Sequence, residues 1–308
     1  MLNICRLSAH LLRASVIPGC FVSCFLGLSL ICGAVVAQSE SGSASSLPLP
    51  IAVELGEARR ANGFFLEFFH AESSDVEGRL AAGGDVAINH YSIADQLQAT
   101  VRGASLVVGG DLDFPSGRVF RGDIMVAGSA DGVGDPVLNG LADDQALIRN
   151  AELPFDFQRQ FEVLQRTSQL LAVLPANGTY EYQWGGLHLT GDCVSPAQVF
   201  ELNGTQVLAA HTFEVSCIPD GATVIFNIDG AHAGLTNMSL ESLTAYRSNA
   251  LFNFFQATSL ELAGIGVQGS ILAPWAAIEQ PQGVVHGSVM ARSWNGMMQL
   301  NHRAISPG

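Results

Sequence analysis

The feature that most limits what this chain can fold into is a short phrase that returns along it. Its fullest form is Asp75-Val76-Glu77-Gly78-Arg79-Leu80-Ala81-Ala82-Gly83-Gly84-Asp85-Val86. A second copy runs from Val101-Arg102-Gly103 into Leu106-Val107-Val108-Gly109-Gly110-Asp111-Leu112, and a third is Phe120-Arg121-Gly122-Asp123-Ile124-Met125-Val126. Val267-Gln268-Gly269-Ser270-Ile271-Leu272-Ala273 and Val285-His286-Gly287-Ser288-Val289-Met290-Ala291 repeat it near the end. In an extended chain alternate side chains face opposite ways. Val76, Gly78, Leu80 and Ala82 then share one face, as do Phe120, Gly122, Ile124 and Val126 and their counterparts in the last two copies. Glu77, Arg79, Arg121, Asp123, Gln268, Ser270, His286 and Ser288 face the other way. The second copy carries one extra residue between Gly103 and Leu106, as a β-bulge would supply. Self-similarity at such spacing marks stacked coils, none able to bury its apolar face alone. Short strands between Gly-rich turns also suit an ordinary sandwich. The shared parity favours a mainly β fold of the β-solenoid kind.

Residues 1–37 stand outside this pattern. Arg6 and Arg13 precede an apolar run from Val16 to Val36, ending Val35-Val36-Ala37. A positive start, an apolar centre and small residues before a cut describe a secretory signal peptide. The run is also about long enough to span a bilayer, so an uncleaved membrane anchor is the alternative. Residues 38–50 are Ser-rich and punctuated by Pro48 and Pro50, a leader without a core. Residues 51–308 are expected to form one domain, because the same phrase brackets everything in it.

The basic residues, 14 against 28 acidic ones, are all arginine. Two of them, Arg6 and Arg13, leave with the signal, so the mature chain is strongly acidic. That argues against nucleic acid and against anionic membrane surfaces, both of which require a basic footprint. Charged residues make up 14 % of the chain, well below the usual proportion of about 25 %. An exterior of Ser, Thr, Asn, Gln and small apolar groups suits an extracellular or cell-surface β protein. Only Cys193 and Cys217 survive removal of the signal, and an even pair in an exported protein points to a disulfide.

Between the two groups of repeats the β pattern breaks. Phe157, Phe161, Leu164 and Leu171 recur at helical spacing, with Pro154 at the start and Pro175 at the stop. The pattern predicts one long amphipathic helix over about 154–174, packed along the solenoid. Strands are expected at Tyr180–Trp184, Leu187–Leu189, Gln198–Leu202, Gln206–Leu208, His211–Val215, Thr223–Ile228, Asn249–Phe255 and Leu260–Leu262, with turns at Gly185-Gly186, Asn203-Gly204 and Asp220-Gly221.

These residues resemble a known family. Asp75–Val86, Leu251-Phe252-Asn253-Phe254 with Ala257-Thr258, Gly264 to Pro274, and His286-Gly287-Ser288-Val289-Met290-Ala291 together are similar to the signature of the choice-of-anchor A domain family. The resemblance spans about Asn62 to His302, with several motifs in order. It implies an exported adhesive domain, expected to be a β-solenoid, attached to cells by varied C-terminal anchors and without established catalytic residues. This chain ends Asn301-His302-Arg303-Ala304-Ile305-Ser306-Pro307-Gly308, with no sortase motif, terminal helix or basic tail, which leaves the anchoring mode open. The family is also similar in architecture to ice-binding proteins built from a solenoid and a helix.

Chemistry-bearing residues are scattered. His188 and His211 flank Cys193, Asp229 and His232 bracket a turn, and His286 and His302 lie near the end. None has the companions a zinc site or a nucleophile requires. Asp131 and Asp135 offer a weak calcium pair without the other carboxylates of a calcium loop. Arg79, Arg102 and Arg121 near Asp75, Glu77 and Asp123 are a crude version of a polysaccharide-lyase cleft, and cross-strand charge pairs explain them more simply. Asn177, Asn203 and Asn237 begin glycosylation tripeptides that matter only in a eukaryotic secretory route. The outward positions mix charges and amides rather than the Thr arrays expected of an ice-binding face. The expected function is a non-catalytic adhesion module that meets a glycan or a matrix or surface protein along an extended solenoid face. The alternatives are a carbohydrate-active β-helix enzyme and an ice-binding protein. The sequence does not say which face binds.

Overall fold

A computed structural model describes residues 53–302 apart from Ala99 and Val101. The signal, the leader, the residues beyond His302 and the start of the second repeat at Val101 lie outside the described residues. The fold is a β-solenoid: apart from one antiparallel hairpin, Thr179–Gln183 with Gly186–Thr190, the strands stack in parallel, coil on coil, into three long sheets and one of three strands.

The first sheet runs, in spatial order, through Ala197–Leu202, Thr223–Ile228, Ala250–Phe254, the first half of Ser270–Glu279, the first half of Val289–Asn295, Gly63–Phe65, Leu80–Ala82, Ala104–Val108, Asp123–Val126 and Leu147–Arg149. The second contains His232–Thr236, Ser259–Ala263, the later halves of the two long strands, then Phe69–Glu72, Val86–Asn89, Leu112–Phe114 and Gly132–Val133. The third contains Ile265–Val267, Gly283–His286, Gln299–Asn301, Asp75–Val76, Tyr91–Ile93 and Gly117–Val119. The chain therefore starts in the middle of the stack and winds to one end. It then returns beside the stack as a helix and winds back from the other end, so that its last coil pairs with its first: Phe64 is in register with Met290 on one side and Ala81 on the other.

The repeated phrase is a corner rather than a single strand. Val76 closes a strand of the third sheet, and Leu80–Ala82 opens the next coil in the first. Gly78 sits between them because a Cβ there would collide with the Asn62 side-chain oxygen. The inward parity holds through the corner: Val76, Leu80, Ala82, Ile124, Val126, Val267, Ile271, Ala273, Val285, Val289 and Ala291 are all fully buried. The third copy departs from expectation. Val119 takes the inward place, and Phe120 is half-buried with the Arg118 guanidinium 4.7 Å from its ring centre. The extra residue of the second copy is a bulge at Ser105, since Asp123 is in register with Ala104 but Ile124 with Leu106. Gly83 and Gly109 stack at the next corner, where a Cβ on Gly109 would collide with the Gly83 carbonyl.

Helix α2 spans Phe157–Ala172, inside the expected 154–174. Asp156 caps it by accepting from Arg159 N at 3.1 Å, which places Pro154 in the approach rather than in the first turn. Its 16 residues make about 24 Å, enough to span the four spacings, about 19 Å, between five neighbouring strands. Five strands are what it crosses. Phe157 and Phe161 stack on Phe64 at 5.4 and 5.7 Å, and the helix continues over Met290, Leu272 and Leu251 to Ile225, all in one buried cluster with Leu164 and Leu171. The first sheet is thus apolar on both sides, one filled by the solenoid core and the other by the helix.

Two local expectations change. Gln206–Leu208 is not a strand but part of a short helix, α3, spanning Gly204–Ala209. Asn203 caps it by accepting from Gln206 N, so the residues expected to make a turn make a helix start instead. A further short helix, α1, spans Asp135–Leu138, with Pro136 in its first turn. Cys193 and Cys217 are bonded, their Cα atoms 4.4 Å apart, joining the corners ahead of the two outermost coils at that end.

Candidate binding face

The three sheets differ in what covers them. The first is occupied by α2 over half its length. The second faces outward over nearly its whole length, with α3 lying only over its terminal strand beside Gly234. Its outward residues form an in-register row: Glu279, Asn295, His70, Ala87, Asp113 and Gly132. Five strand spacings make this row about 24 Å long. Glu72 and Asn89 begin a parallel row beside it.

The side chains of the row are held in place. Asn295 Nδ2 donates to Glu279 Oε2 at 2.8 Å, and the His70 ring stacks on Phe68 at 4.6 Å between ring centres. At the rim, His232 Nε2 lies 3.8 Å from Glu261 Oε2. The Gly-Gly-Asp corners supply a second ladder: Asp85 Oδ1 accepts from Asp111 N at 2.9 Å, and Asp111 Oδ1 accepts from Ser129 N at 2.7 Å. His70, Asp85, Ala87, Asp111 and Asp113 border a shallow depression of about 310 Å³. Carboxylates, an amide and an imidazole at strand spacing present a ladder of hydrogen-bonding groups. The face is acidic, which suits an uncharged or basic partner and repels polyanions.

The other candidate residues are dispersed. His188 Nδ1 lies 3.2 Å from Glu214 Oε2 on the sheet of Thr179–Gln183, Gly186–Thr190 and Thr212–Ser216, the last of which bridges onward to Ser239. His211 bonds the Trp184 carbonyl at the hairpin tip. Asp229 accepts from Gly204 N at 2.7 Å and His232 opens a strand of the open sheet, so the two bracket the turn at Gly230-Ala231 while their side chains serve different neighbours. Asn301 Nδ2 lies 3.2 Å from His286 Nδ1, and His302 Nδ1 lies 2.9 Å from Asn62 Oδ1 where first and last coils meet. Asp131 lies 3.7 Å from Arg149, and Asp135 opens its helical turn. Among the described residues no group of three or more His, Cys, Asp or Glu is placed to hold a metal ion. Arg79 and Arg102 both border a groove on the first sheet, and Arg102 also borders the adjoining hollow that holds Arg121, Asp123 and Asp144. The Asn177 amide is used within the fold, donating to Asp192 and to the Ala197 carbonyl, whereas Asn203 and Asn237 are exposed.

Sequence reasoning missed a buried ladder that seats α2. Ser168 Oγ donates to Asn253 Oδ1 at 2.6 Å, and Asn253 Nδ2 donates to the Ser168 carbonyl and to Asn227 Oδ1. Asn227 Nδ2 donates to the Leu171 carbonyl at 2.7 Å. The signal was present in Ile225-Phe226-Asn227 and Leu251-Phe252-Asn253, the same tripeptide pattern one coil apart.

A β-solenoid with a helix seated on one sheet and long sides left open offers extended surfaces rather than a deep cleft. Comparison with known proteins places it further. The profile of the family described as "Putative Ice-binding-like adhesive domain" matches residues 54–302, and the chain belongs to that family. Among solved structures it is similar to an ice-binding protein from the Antarctic ascomycete Antarctomyces psychrotrophicus, at 13 % identity over 82 % of this chain and 98 % of that one, with a TM-score of 0.33. No curated protein matches it.

Proposed function

We propose that the protein is an extracellular, non-catalytic adhesion module that meets a glycan or a matrix or surface protein along the open second sheet. The observation that carries this reading is the in-register outward row from Glu279 to Gly132, a long polar ladder that α2 leaves uncovered and whose side chains are held in place. Its acidity selects uncharged or basic partners. The narrower assignment to the choice-of-anchor A group, with export by the N-terminal segment, belongs to the same proposal.

The test is binding of the purified protein to glycan and matrix-protein arrays. A saturable ligand is expected, and Ala87→Arg, which drives a long cation into the middle of the row, should remove it without lowering the melting temperature. Leu170→Arg, on the exposed side of α2, should leave binding intact. Silence across the arrays, or equal binding by Ala87→Arg, would sink the reading.

The family description also favours a second reading, ice. The row of Glu, Asn, His, Ala, Asp and Gly lacks the repeated Thr of a regular ice-matching array, which is why ice stands second. Thermal hysteresis in a nanolitre osmometer, abolished by Ala87→Arg, would reverse that order. Turnover of an acidic polysaccharide would overturn the non-catalytic reading altogether.

A further inference from the structure

The first sheet is longer than the helix that covers it. Beyond the N-terminus of α2, the outward sides of Leu80–Ala82, Ala104–Val108 and Asp123–Val126 are bordered only by Pro154-Phe155 and by the turn at Gly56–Arg60. A groove of about 510 Å³ remains there. Phe64, Ala81, Val107 and Met125 form its floor, in register along one line, and Phe155 forms a wall.

The rim inverts the charge of the protein. Arg60, Arg79 and Arg102 border the groove against one carboxylate, Glu57, in a chain with 28 acidic and 14 basic residues. The three cations are not equivalent. Arg102 lies 3.1 Å from Asp144 and Arg60 lies 3.4 Å from Glu57. Arg79 has no carboxylate partner among the described residues. Its Nε donates to the Ala104 carbonyl at 3.2 Å and its Nη2 to the Arg102 carbonyl at 3.0 Å. Those bonds orient the guanidinium and leave its charge uncompensated. Burial first, and the nearby Arg60 charge second, pull its pKa below the ordinary arginine value.

A half-buried cation with no counterion is costly unless something supplies one. An oriented guanidinium at the edge of an apolar floor suits a ligand with an apolar body and a single anionic head. A long polyanion would run beyond the groove onto a chain with 28 acidic and 14 basic residues, and its added charge would be opposed there. We propose that this groove binds a small anionic amphiphile, its apolar body on Phe64, Ala81, Val107 and Met125 and its carboxylate received by Arg79 and Arg60. The site is separate from the open sheet, so it stands or falls independently of the adhesion reading.

The experiment compares two dyes of the same apolar body, 8-anilinonaphthalene-1-sulfonate and the neutral N-phenyl-1-naphthylamine, titrated into the purified protein and followed by fluorescence. One saturable site for the sulfonate dye is expected, displaced by decanoate. Arg79→Gln and Arg60→Gln should each weaken the sulfonate dye by about tenfold, the size of one charged hydrogen bond, and leave the neutral dye unchanged. Arg60 is exposed, so its variant keeps the test valid where Arg79→Gln disturbs the corner. Equal affinity for the two dyes, unchanged binding in the Arg60 variant, or displacement by a polyuronate at lower carboxylate concentration than decanoate would each overturn the proposal.

Discussion

Asn253, beside Asn227, joins the helix to the solenoid by polar contacts. Its amide satisfies a hydroxyl, a carbonyl and a neighbouring amide in a site with no water-exposed edge. Asn253→Ala strands those groups, and buried groups left unpaired cost about 1–3 kcal/mol each. A loss of about 2–4 kcal/mol in urea unfolding is expected, and a loss below about 0.5 kcal/mol would show that apolar contact alone seats the helix. Asp192 acts at a corner. Its burial raises the pKa, but hydrogen bonds from the Gln198 and Ser195 side chains and from the Ser195 and Val194 amides outweigh that and hold it below the ordinary 3.8. A folded-state pKa below the unfolded one adds stability above the unfolded value and loses it as pH falls through the folded one. The urea midpoint should therefore fall as pH drops below about 3.8, and Asp192→Asn should flatten that decline.

At the scale of elements, α2 and the disulfide do different work. Phe161 is fully buried between the helix and Phe64. Phe161→Ala is expected to cost about 3–5 kcal/mol, whereas Leu170→Ala, on the exposed side of the same helix, should stay within about 0.5 kcal/mol. The Cys193–Cys217 bond closes a separation of 24 residues, which limits the unfolded chain by roughly 3 kcal/mol. Replacing both with Ala should lower stability by about that amount without changing the β-rich circular dichroism spectrum. Both elements were legible in the sequence for physical reasons. A 3.6-residue apolar stripe needs an apolar face to lie on, and Cys193 and Cys217 are the two cysteines outside the N-terminal apolar segment. The α3 helix was not legible, because Gln206–Leu208 is too short for any period to show and its start rests on one Asn203 cap.

For the whole molecule, the meeting of first and last coils is decisive. Gly63–Phe65 pairs with Val289–Ala291, and the Asn62 amide donates to the Gly287 and Asn301 carbonyls. Ending the chain at Gly287 removes the coil that joins the two halves and exposes strand edges on both. The complete chain should unfold in one cooperative urea transition, and the shortened one should show none. A normal transition in the shortened chain would mean that the halves are independently stable.

The sequence by itself determined the local grammar. Alternating Val, Gly, Leu and Ala can only put their small apolar faces inward, and glycine at the corners marks where coils come too close for a Cβ, as Gly78 and Gly109 show. It also determined the helix, the disulfide pair and the acidity that limits partners. Only the tertiary structure decided that the phrase bends between two sheets and that the chain starts in the middle of its own stack. It also decided which outward rows stay open. Periodicity records which side of a strand is buried, but strand order and coverage depend on contacts between residues more than two hundred positions apart, such as Phe64 with Met290. No local pattern carries that information, and the candidate binding face depends on it.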